Sequence, residues 1–283
     1  MTFGRYVGNI SSRFDATELM AQLASVPQWL DAGQVLPLSD GHDQVLKSDL
    51  VMGGQAVSVA IKVFGRQSLF KDWFDRRNGS KAARSYHAGA FLYQKALGTA
   101  EPIAWLDRWD DGRLVESYYL CIHVAAPCFR DALIQIYEQE QNNAGMMALL
   151  HKVAPALRRL HEAGFMHGDL GNQNILVPKS SAGTYLEPLF IDLNRSQYAS
   201  APLGDRERAH DLARIALPGA YLDIFKMIYN HHQNLPEPLA WLEKKARKRF
   251  WGHRRRSRFR HPIRFLKRLR QGRPASPYPS DKD

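Results

Sequence analysis

Hydrophobic residues near the start of the chain recur at the spacing of one helix face. The four apolar residues of this face are Leu19, Met20, Leu23 and Val26. Their spacing predicts an amphipathic helix that packs on another element, and Asp15 or Thr17 is a suitable N-terminal cap. Residues 1–33 are therefore predicted to form a helical extension ahead of the main fold.

From residue 35 the pattern changes to short apolar segments of the kind that form strands. The three predicted strands cover residues 35–38, 45–52 and 56–64. Gly53 and Gly54 are typical of a tight hairpin turn between the last two. Lys62 is the single charge within the third strand, and two interpretations of it are open. It is either a solvated side chain at a sheet edge or a cation that binds the phosphates of a nucleotide.

A helix is predicted over residues 80–97, with Ser80 as its N-terminal cap and Gly98 just past its end. This helix contains no Asp or Glu. It is followed by two further predicted strands, which cover residues 99–106 and 117–124.

Beyond residue 127 most of the predicted elements are helices. They cover residues 129–141, 144–163, 205–217, 220–232 and 237–250. Pro155 is predicted to kink or break the second of these helices, and Asp205 is predicted to cap the third. Between them, strands at 175–177 and 188–191 are predicted to form a hairpin.

Together these elements predict an α+β fold with two lobes. Residues 34–126 would form a lobe built on an antiparallel sheet, and residues 127–240 a mainly helical lobe. Residues 241–283 would form a basic amphipathic segment that ends in a disordered tail. A sheet that carries a lone lysine, followed by helices, is the order of a protein-kinase-like fold.

The composition of the chain indicates the cellular compartment, and it says less about the fold. No run in the 283 residues approaches the roughly 18 apolar residues that a membrane-spanning helix needs. The N-terminal residues do not have the pattern of a secretory signal, so we expect a cytoplasmic protein. Cys121 and Cys128 are too few for a disulfide framework or a zinc site, and both are expected to be reduced.

The net charge of +11 is concentrated near the C terminus. Residues 241–273 hold 15 Lys and Arg and one acid, Glu243, whereas the rest of the chain holds 24 bases and 27 acids. Phe259, Ile263 and Leu266 form a helical stripe among these bases. An anionic membrane surface is the expected partner because of this stripe. Nucleic acid is the less favoured rival, and a solvated tail without a partner is a third interpretation.

The clearest chemical signal is the segment from His167 to Asn174, His-Gly-Asp-Leu-Gly-Asn-Gln-Asn, between a helix and an apolar strand. In phosphoryl transfer, a carboxylate in such a loop meets the acceptor hydroxyl and an asparagine holds a magnesium ion. We therefore predict Asp169 as the catalytic residue and Asn174 as a metal ligand. Asp192, at the end of the next strand, is the second predicted ligand, since Mg²⁺ prefers carboxylate and amide oxygens.

Other residues have roles that follow from the same chemistry. Lys62 would bind the phosphates of ATP, and Gly41, in the turn at 39–43, would cover them. His167 is interpreted as a residue that braces the loop. Asp211 is interpreted either as an anchor for the catalytic-loop backbone or as a solvated charge on a helix.

Several segments also resemble one known family. They are Ala-Ile-Lys at 60–62, Ser-Lys-Ala-Ala-Arg at 80–84, residues 98–104, residues 160–170, Asn-Ile-Leu-Val at 174–177, Ile-Asp-Leu-Asn-Arg at 191–195 and Asp-Leu-Ala-Arg at 211–214. Over roughly residues 35–217 the chain resembles the bacterial lipopolysaccharide core kinases, the Kdo/heptose (WaaP-type, InaA-like) group of the protein-kinase-like superfamily.

The resemblance implies ATP-dependent phosphorylation of a sugar hydroxyl, on heptose or Kdo, in the inner core of lipopolysaccharide. The implied cofactors are ATP and Mg²⁺, and the implied acceptor is the lipid A–core oligosaccharide. The implied location is the inner face of the inner membrane, where the protein would be peripheral.

Two departures from the kinase pattern leave alternatives open. Asp-Leu-Asn at 192–194 replaces Asp-Phe-Gly, and helix 80–97 has no acid to pair with Lys62. Asp72 and Asp75, just upstream, are candidate substitutes for that acid. The missing acid makes a membrane-associated pseudokinase or scaffold the first alternative. A small-molecule kinase of the aminoglycoside or choline type, which shares His-Gly-Asp-Leu, is the second.

Overall fold

The computed structural model describes residues 2–31, 36–39, 43–65 and 68–260, and the chain divides into two units. The first takes Met1–Ala125 and, from later in the chain, Phe190–Ser196; the second takes Ala126–Leu189 and Gln197–Asp283. The described part of the first unit is built on an antiparallel sheet, and that of the second is mainly helical. The predicted α+β fold, with a sheet lobe and a helical lobe, is therefore confirmed.

A seven-stranded antiparallel sheet is the centre of the first unit. Its strands are β1 (Thr2–Phe3), β2 (Tyr6–Ile10), β3 (Leu36–Ser39), β4 (Gln44–Met52), β5 (Gln55–Val63), β6 (Pro102–Asp110) and β7 (Arg113–Ile122). They lie in the order β1-β2-β6-β7-β5-β4-β3. Because β5 is inside the sheet, Lys62 lies opposite Val45 on one side and Tyr119 on the other. The interpretation of Lys62 as a sheet-edge residue is therefore wrong.

Three of the four residues of the apolar helix face predicted near the N terminus pack on this sheet, whereas the prediction is wrong for Met20, which is exposed. Helices α1 (Ala16–Ala24) and α2 (Val26–Asp31) bury Leu19, Leu23 and Val26 in one core with residues of β2, β4, β5, β6 and β7. Asp15 is the cap, because its carboxylate accepts a hydrogen bond from the Thr17 amide at 2.8 Å.

Strands β1 and β2 correct the prediction that residues 1–33 are a helical extension. The sequence of β2, Tyr-Val-Gly-Asn-Ile, contains glycine and asparagine, which are both uncommon in strands. A Cβ at Gly8 would lie 2.0 Å from the carbonyl oxygen of Trp105 on β6. Contact with β6 therefore determines this strand, and only glycine permits so close an approach.

Two helices follow β5, namely α3 (Leu69–Asn78) and α4 (Lys81–Gln94). Ser80 caps α4 as predicted, since its hydroxyl accepts a hydrogen bond from the Ala83 amide at 3.0 Å. The helix ends before residue 97 because Ala96 takes a left-handed conformation, with φ of +52°. The Leu97 amide then bonds to the carbonyl of Leu92 at 2.9 Å and closes the turn.

In the second unit, α5 (Phe129–Ile134) leads into a π-helical turn, Gln135–Glu140, and is followed by α6 (Asn143–Glu162). The six predicted apolar residues of α6 are all buried: Met146, Leu149, Leu150, Val153, Leu157 and Leu160. Helix α6 continues through Pro155, so no break occurs there. The hydrogen bond that proline cannot donate is outweighed by the burial of the helix on both sides of it.

Short strands and further helices follow α6 in the chain. They are β8 (Phe165–Met166), β9 (Ile175–Leu176), β10 (Leu189–Phe190), β11 (Gln197–Tyr198), α7 (Asp205–Leu212), α8 (Tyr221–Tyr229) and α9 (Glu237–Arg260). Strand β11 pairs antiparallel with β8. Gly204 occupies the cap position of α7 and Asp205 is the first residue of the helix, so the prediction that Asp205 caps it is wrong. Helix α9 extends past the predicted end at residue 250 into the basic segment.

Helix α9 is held against the rest of the second unit by Glu243, the one acid of residues 241–273. Glu243 is buried and forms ion pairs with Lys226, at 3.0 Å, and with Arg247. Arg247 in turn donates to the carbonyl oxygens of Leu212 and Ile215 at 2.8 and 2.7 Å. It thereby satisfies carbonyl groups at the C-terminal end of α7 that have no partner within that helix.

One buried carboxyl in the first unit predicts a dependence of stability on pH. Burial of Asp107 on β6 raises its pKa to about 6, although Ser80 and Ser117 oppose the shift. Since this pKa is higher in the folded than in the unfolded chain, the folded state binds the extra proton. The resulting stabilisation is complete below about pH 4 and is lost as the pH rises through 6.

We expect Asp107→Asn to be more stable than the wild type above pH 6, by ~2 kcal/mol in the free energy of unfolding. The advantage should shrink as the pH falls towards 4. Urea denaturation across this range measures it, with Asp110→Asn, an exposed carboxylate on the same strand, as the control. A difference that did not change with pH would contradict the prediction.

Candidate active site

Lys62 and Asp192 form an ion pair within the first unit. The Lys62 side chain is 13% exposed and that of Asp192 is 33% exposed, so the lysine is the more shielded partner. The Lys62 ammonium also lies 5.2 Å from the centre of the Phe64 ring, which is a cation–π distance. Lys62 therefore has an acidic partner, although α4 supplies none.

The backbone at Asp192 is held in an uncommon conformation. Its φ is +64° and its ψ is +51°, in the left-handed region, and a 3₁₀ turn, Leu193–Arg195, follows. This conformation costs a non-glycine residue ~1 kcal/mol or more. Nδ2 of the Asn194 side chain donates to Oδ1 of Asp192 at 2.9 Å. The Asp-Leu-Asn sequence thus orients the carboxylate from within its own turn.

Helix α4 contributes a cation, Arg84, to the support of this turn. Arg84 Nη1 forms an ion pair with Asp75 of α3 at 2.8 Å, and Nε donates to the carbonyl of Asn194 at 3.1 Å. One guanidinium therefore connects α3, α4 and the turn after Asp192. The planar fork of arginine suits such a bridge because it presents several donors in fixed directions.

The candidate substitutes for the missing acid do not pair with Lys62. Asp72 forms an ion pair with Arg113 at 2.6 Å, and Asp75 forms its ion pair with Arg84. Both carboxylates are buried, and a buried carboxylate needs a close cation to offset its lost hydration. The arginines meet that need, so this part of the sequence prediction is wrong.

The turn predicted to cover phosphates is described at its two ends. Gly41 lies outside the described residues. At the later end, Asp43 forms an ion pair with Lys81 at 3.0 Å, with a second contact at 3.2 Å. This pair ties the first turn of α4 to the strand connection before β4.

Asp169 and Asn174 lie together in the second unit. Nδ2 of Asn174 donates to the backbone carbonyl of Asp169 at 2.8 Å, and the Asn174 amide bonds to the carbonyl of Gly171 at 2.8 Å. The segment Asn172–Asn174 is a 3₁₀ turn. The side-chain nitrogen of Asn174 therefore faces Asp169. Its side-chain oxygen is the atom that can accept a hydrogen bond or bind a metal ion.

Asn172 is a residue of this loop that sequence reasoning missed. Its buried side chain donates to the carbonyl of Ala216 at 2.6 Å and accepts from the amide of Ala216 at 3.1 Å. The sequence offers no sign of this, since an asparagine beside glycine is ordinary for any turn. Its partner lies beyond α7, 44 positions along the chain.

Asp211 on α7 anchors the backbone of the loop that carries Asp169. It is fully buried and accepts hydrogen bonds from the amides of His167 and Gly168 at 2.6 and 3.0 Å. The interpretation of Asp211 as a solvated helix charge is therefore wrong, and the anchor interpretation is confirmed. His167 is also buried, and its Nδ1 accepts from the Asp169 amide at 3.3 Å. This contact agrees with a bracing role for His167.

The charge of Asp211 is maintained by histidines around it. Burial by itself would raise the pKa of Asp211, but His161 and His210, at 3.5 and 3.4 Å, lower it, as does His167. The net effect holds the pKa of Asp211 well below its usual range. The carboxylate therefore stays ionised and keeps its hold on both loop amides at any pH near neutrality.

The two predicted metal ligands supply oxygen donors of the kind that Mg²⁺ prefers. They are the carboxylate of Asp192 in the first unit and the amide oxygen of Asn174 in the second. Among the described residues there is no group of three or more His, Cys, Asp and Glu that could hold a metal ion. Each of these two donors, taken by itself, is of a type that fits Mg²⁺, which is commonly held by one or two protein oxygens together with water and substrate phosphates.

The middle of the chain matches a known protein family. Residues 129–218 match the Lipopolysaccharide kinase (Kdo/WaaP) family. The matched segment contains the Asp169 loop, Asp192 and Asp211, and it begins after Lys62. No curated protein matches the chain in sequence.

The structure matches solved structures over most of its length. One is "WaaP in complex with acyl carrier protein", with a TM-score of 0.57 and 20% identity, covering 86% of this chain and 98% of that chain. At this identity the likeness shows the fold, and 1159 solved chains match in all. Together, the family match and the fold confirm what the catalytic-loop residues predicted: the chain resembles the Kdo/WaaP family of lipopolysaccharide kinases.

Proposed function

We propose that this protein is an ATP-dependent kinase that phosphorylates a sugar hydroxyl, on heptose or Kdo, in the inner core of lipopolysaccharide. The observation that carries the proposal is the Asp169 loop, which lies within the family match and is fixed by the buried Asp211. A loop held at both ends can present one carboxylate in one direction, as transfer to a positioned hydroxyl requires.

In the first unit, Lys62 and Asp192 would serve the nucleotide. The Lys62 ammonium, now paired with Asp192, would exchange that partner for the phosphate oxygens of ATP. Asp192 would then be available to a magnesium ion, which neutralises charge on the phosphates when it is bound. Because the two side chains compensate each other's charge beforehand, neither is left as a buried, unpaired ion when the nucleotide is absent.

In the second unit, Asp169 would orient the acceptor hydroxyl and accept its proton. Asn174 would direct its amide oxygen towards the metal, because its nitrogen is held by the Asp169 carbonyl. Asp211 would act as a positioning residue, since it contacts the loop backbone.

The basic segment would hold the enzyme at an anionic surface, where its acidic acceptor is found. Lys244, Lys245, Lys248 and Arg249 are exposed on α9, and each base near such a membrane adds about 1 kcal/mol of attraction. The side chains of the predicted apolar stripe lie outside the described residues. No helix in the described part of the chain is long and apolar enough to cross a membrane.

The first test is transfer to the acceptor. Asp169→Asn should lower the rate of phosphoryl transfer from ATP to purified lipid A–core by about 10²–10⁴-fold, while ATP still binds. Phosphate incorporation measures the rate. Asp223→Asn, which alters a carboxylate that is 81% exposed, should leave it unchanged. Normal turnover by Asp169→Asn would exclude the assigned role, and transfer to aminoglycoside or choline alone would favour a small-molecule kinase.

The second test concerns the nucleotide. ATP with Mg²⁺ should raise the melting temperature of the wild type, because a ligand that binds only the folded state stabilises it. Lys62→Met should lose most of this increase, since the phosphates lose their cation. Lys95→Met, at an exposed position, should retain it. If the wild type showed no increase, the pseudokinase or scaffold alternative would replace the kinase.

The third test separates positioning from chemistry. Asp211→Asn keeps one acceptor oxygen but removes the charge, so we expect a lower kcat, a nearly unchanged KM for ATP and ~1–3 kcal/mol less stability. Steady-state kinetics and urea denaturation give the three values. Asp205→Asn, in the exposed first turn of the same helix, is the control. A variant with the wild-type kcat would show that the anchor is not needed for turnover.

A further inference from the structure

Helix α3 is built with its polar side inward and its apolar side outward. Its two carboxylates are buried, with Asp72 at 1% and Asp75 at 3% exposure. Its large apolar side chains are exposed: Leu69 at 67%, Phe70 at 74%, Trp73 at 53% and Phe74 at 46%. These four residues form the α3 patch. An ordinary surface helix has the opposite arrangement, so the α3 patch needs an explanation.

Buried ion pairs hold α3 in this orientation. Asp72 contacts Arg113 of β7 at 2.6 Å, and Asp75 contacts Arg84 of α4 at 2.8 Å. Rotation of the helix to bury its aromatic side chains would separate both pairs, and a charge left buried without its partner is costly. The α3 patch is therefore exposed because the two ion pairs fix the rotation of the helix about its own axis.

The exposed charges that α3 itself carries have one sign. Lys71, Arg76 and Arg77 are the exposed charged residues of α3, because both of its acids are buried. The aromatic rings are arranged as a surface, since Phe70 and Trp73 are stacked with centroids 6.1 Å apart. The Arg77 guanidinium lies 5.0 Å from the Trp73 ring. Aromatic and leucine side chains interleaved with cations are the composition that binds the headgroup region of anionic membranes.

We propose that the α3 patch inserts into the headgroup–acyl boundary of an anionic lipid bilayer. This contact is separate from the C-terminal basic segment and does not rest on the proposed kinase activity. A second copy of the chain is a poor occupant, because self-pairing would bring Lys71, Arg76 and Arg77 against their own copies. Four side chains also fall short of the roughly 800 Å² that each partner buries in a stable protein interface.

The first experiment measures binding of the full chain to vesicles. We expect tighter binding to phosphatidylcholine vesicles that contain phosphatidylglycerol than to phosphatidylcholine alone. Phe70→Ser with Trp73→Ser should lower the partition coefficient on the anionic vesicles at least about tenfold, since two aromatic side chains lose their burial. Val7→Ser with Val51→Ser, which removes two side chains of similar exposure from the same unit, is the matched control and should bind as the wild type does.

The second experiment locates the contact and does not depend on a disruptive variant. Brominated lipids quench the fluorescence of tryptophans that enter the bilayer. Trp73→Phe should lose most of the quenching, whereas Trp241→Phe, which alters an exposed tryptophan on α9, should keep it. If Trp241→Phe lost the quenching and Trp73→Phe kept it, the contact would belong to the basic segment and the proposal would be overturned. Absence of vesicle binding, or binding by an acidic soluble protein in its place, would overturn it as well.

Discussion

The buried carboxylate of Asp211 is the contact on which the candidate catalytic loop depends. It accepts the amides of His167 and Gly168, the two residues immediately before Asp169. Because three histidines offset the effect of burial, this anchor stays charged. Two hydrogen bonds to an ionised acceptor are each stronger than neutral ones. The backbone at the start of the loop is thus fixed by a helix that follows it by some forty residues.

In the first unit, an arginine holds the turn that follows Asp192. Kinase-like folds commonly fix their phosphate-binding lysine with an acid on the neighbouring helix, and α4 has none. Here Asp192 is itself the partner of Lys62, and Arg84 holds the turn that follows Asp192. In this unit the buried carboxylates of Asp72 and Asp75 are paired with arginines, and Arg84 links α3 and α4 to the turn after Asp192. Loss of one member would affect the orientation of α3 as well as the turn after Asp192.

Much of the fold was predictable because the pattern of the sequence is local. The hairpin of β4 and β5, the cap at Ser80 and the buried face of α6 follow from turn residues and periodicity. The inverted α3 was not predictable, since its buried side consists of acids whose arginine partners, Arg84 and Arg113, lie on other elements. Strand β2 was missed for the same kind of reason, because a contact with Trp105 selects glycine there.

The residues of the candidate site also divide into those that the sequence predicts and those that it does not. Asp169, Asn174 and Asp192 could be chosen from their spacing, because the chemistry fixes which residue types follow one another. Asn172 and Arg84 could not, since their roles exist only through backbone groups that are distant in the sequence. Pro155 shows the reverse case, because the local rule allowed a break there, whereas α6 continues through it.

The way α9 is attached has a practical consequence for C-terminal truncations of the chain. A boundary chosen from charge alone would cut the chain at residue 241, but this would remove Glu243 and Arg247. Trp251, which donates to the carbonyl of Ala213 at 3.2 Å, would be lost with them. The carbonyl groups of Leu212, Ala213 and Ile215, at and just past the end of the helix that carries Asp211, would then lose the side-chain donors of Arg247 and Trp251. A truncation meant to remove membrane attraction should therefore begin beyond Trp251, so that loss of binding is not confused with loss of the fold.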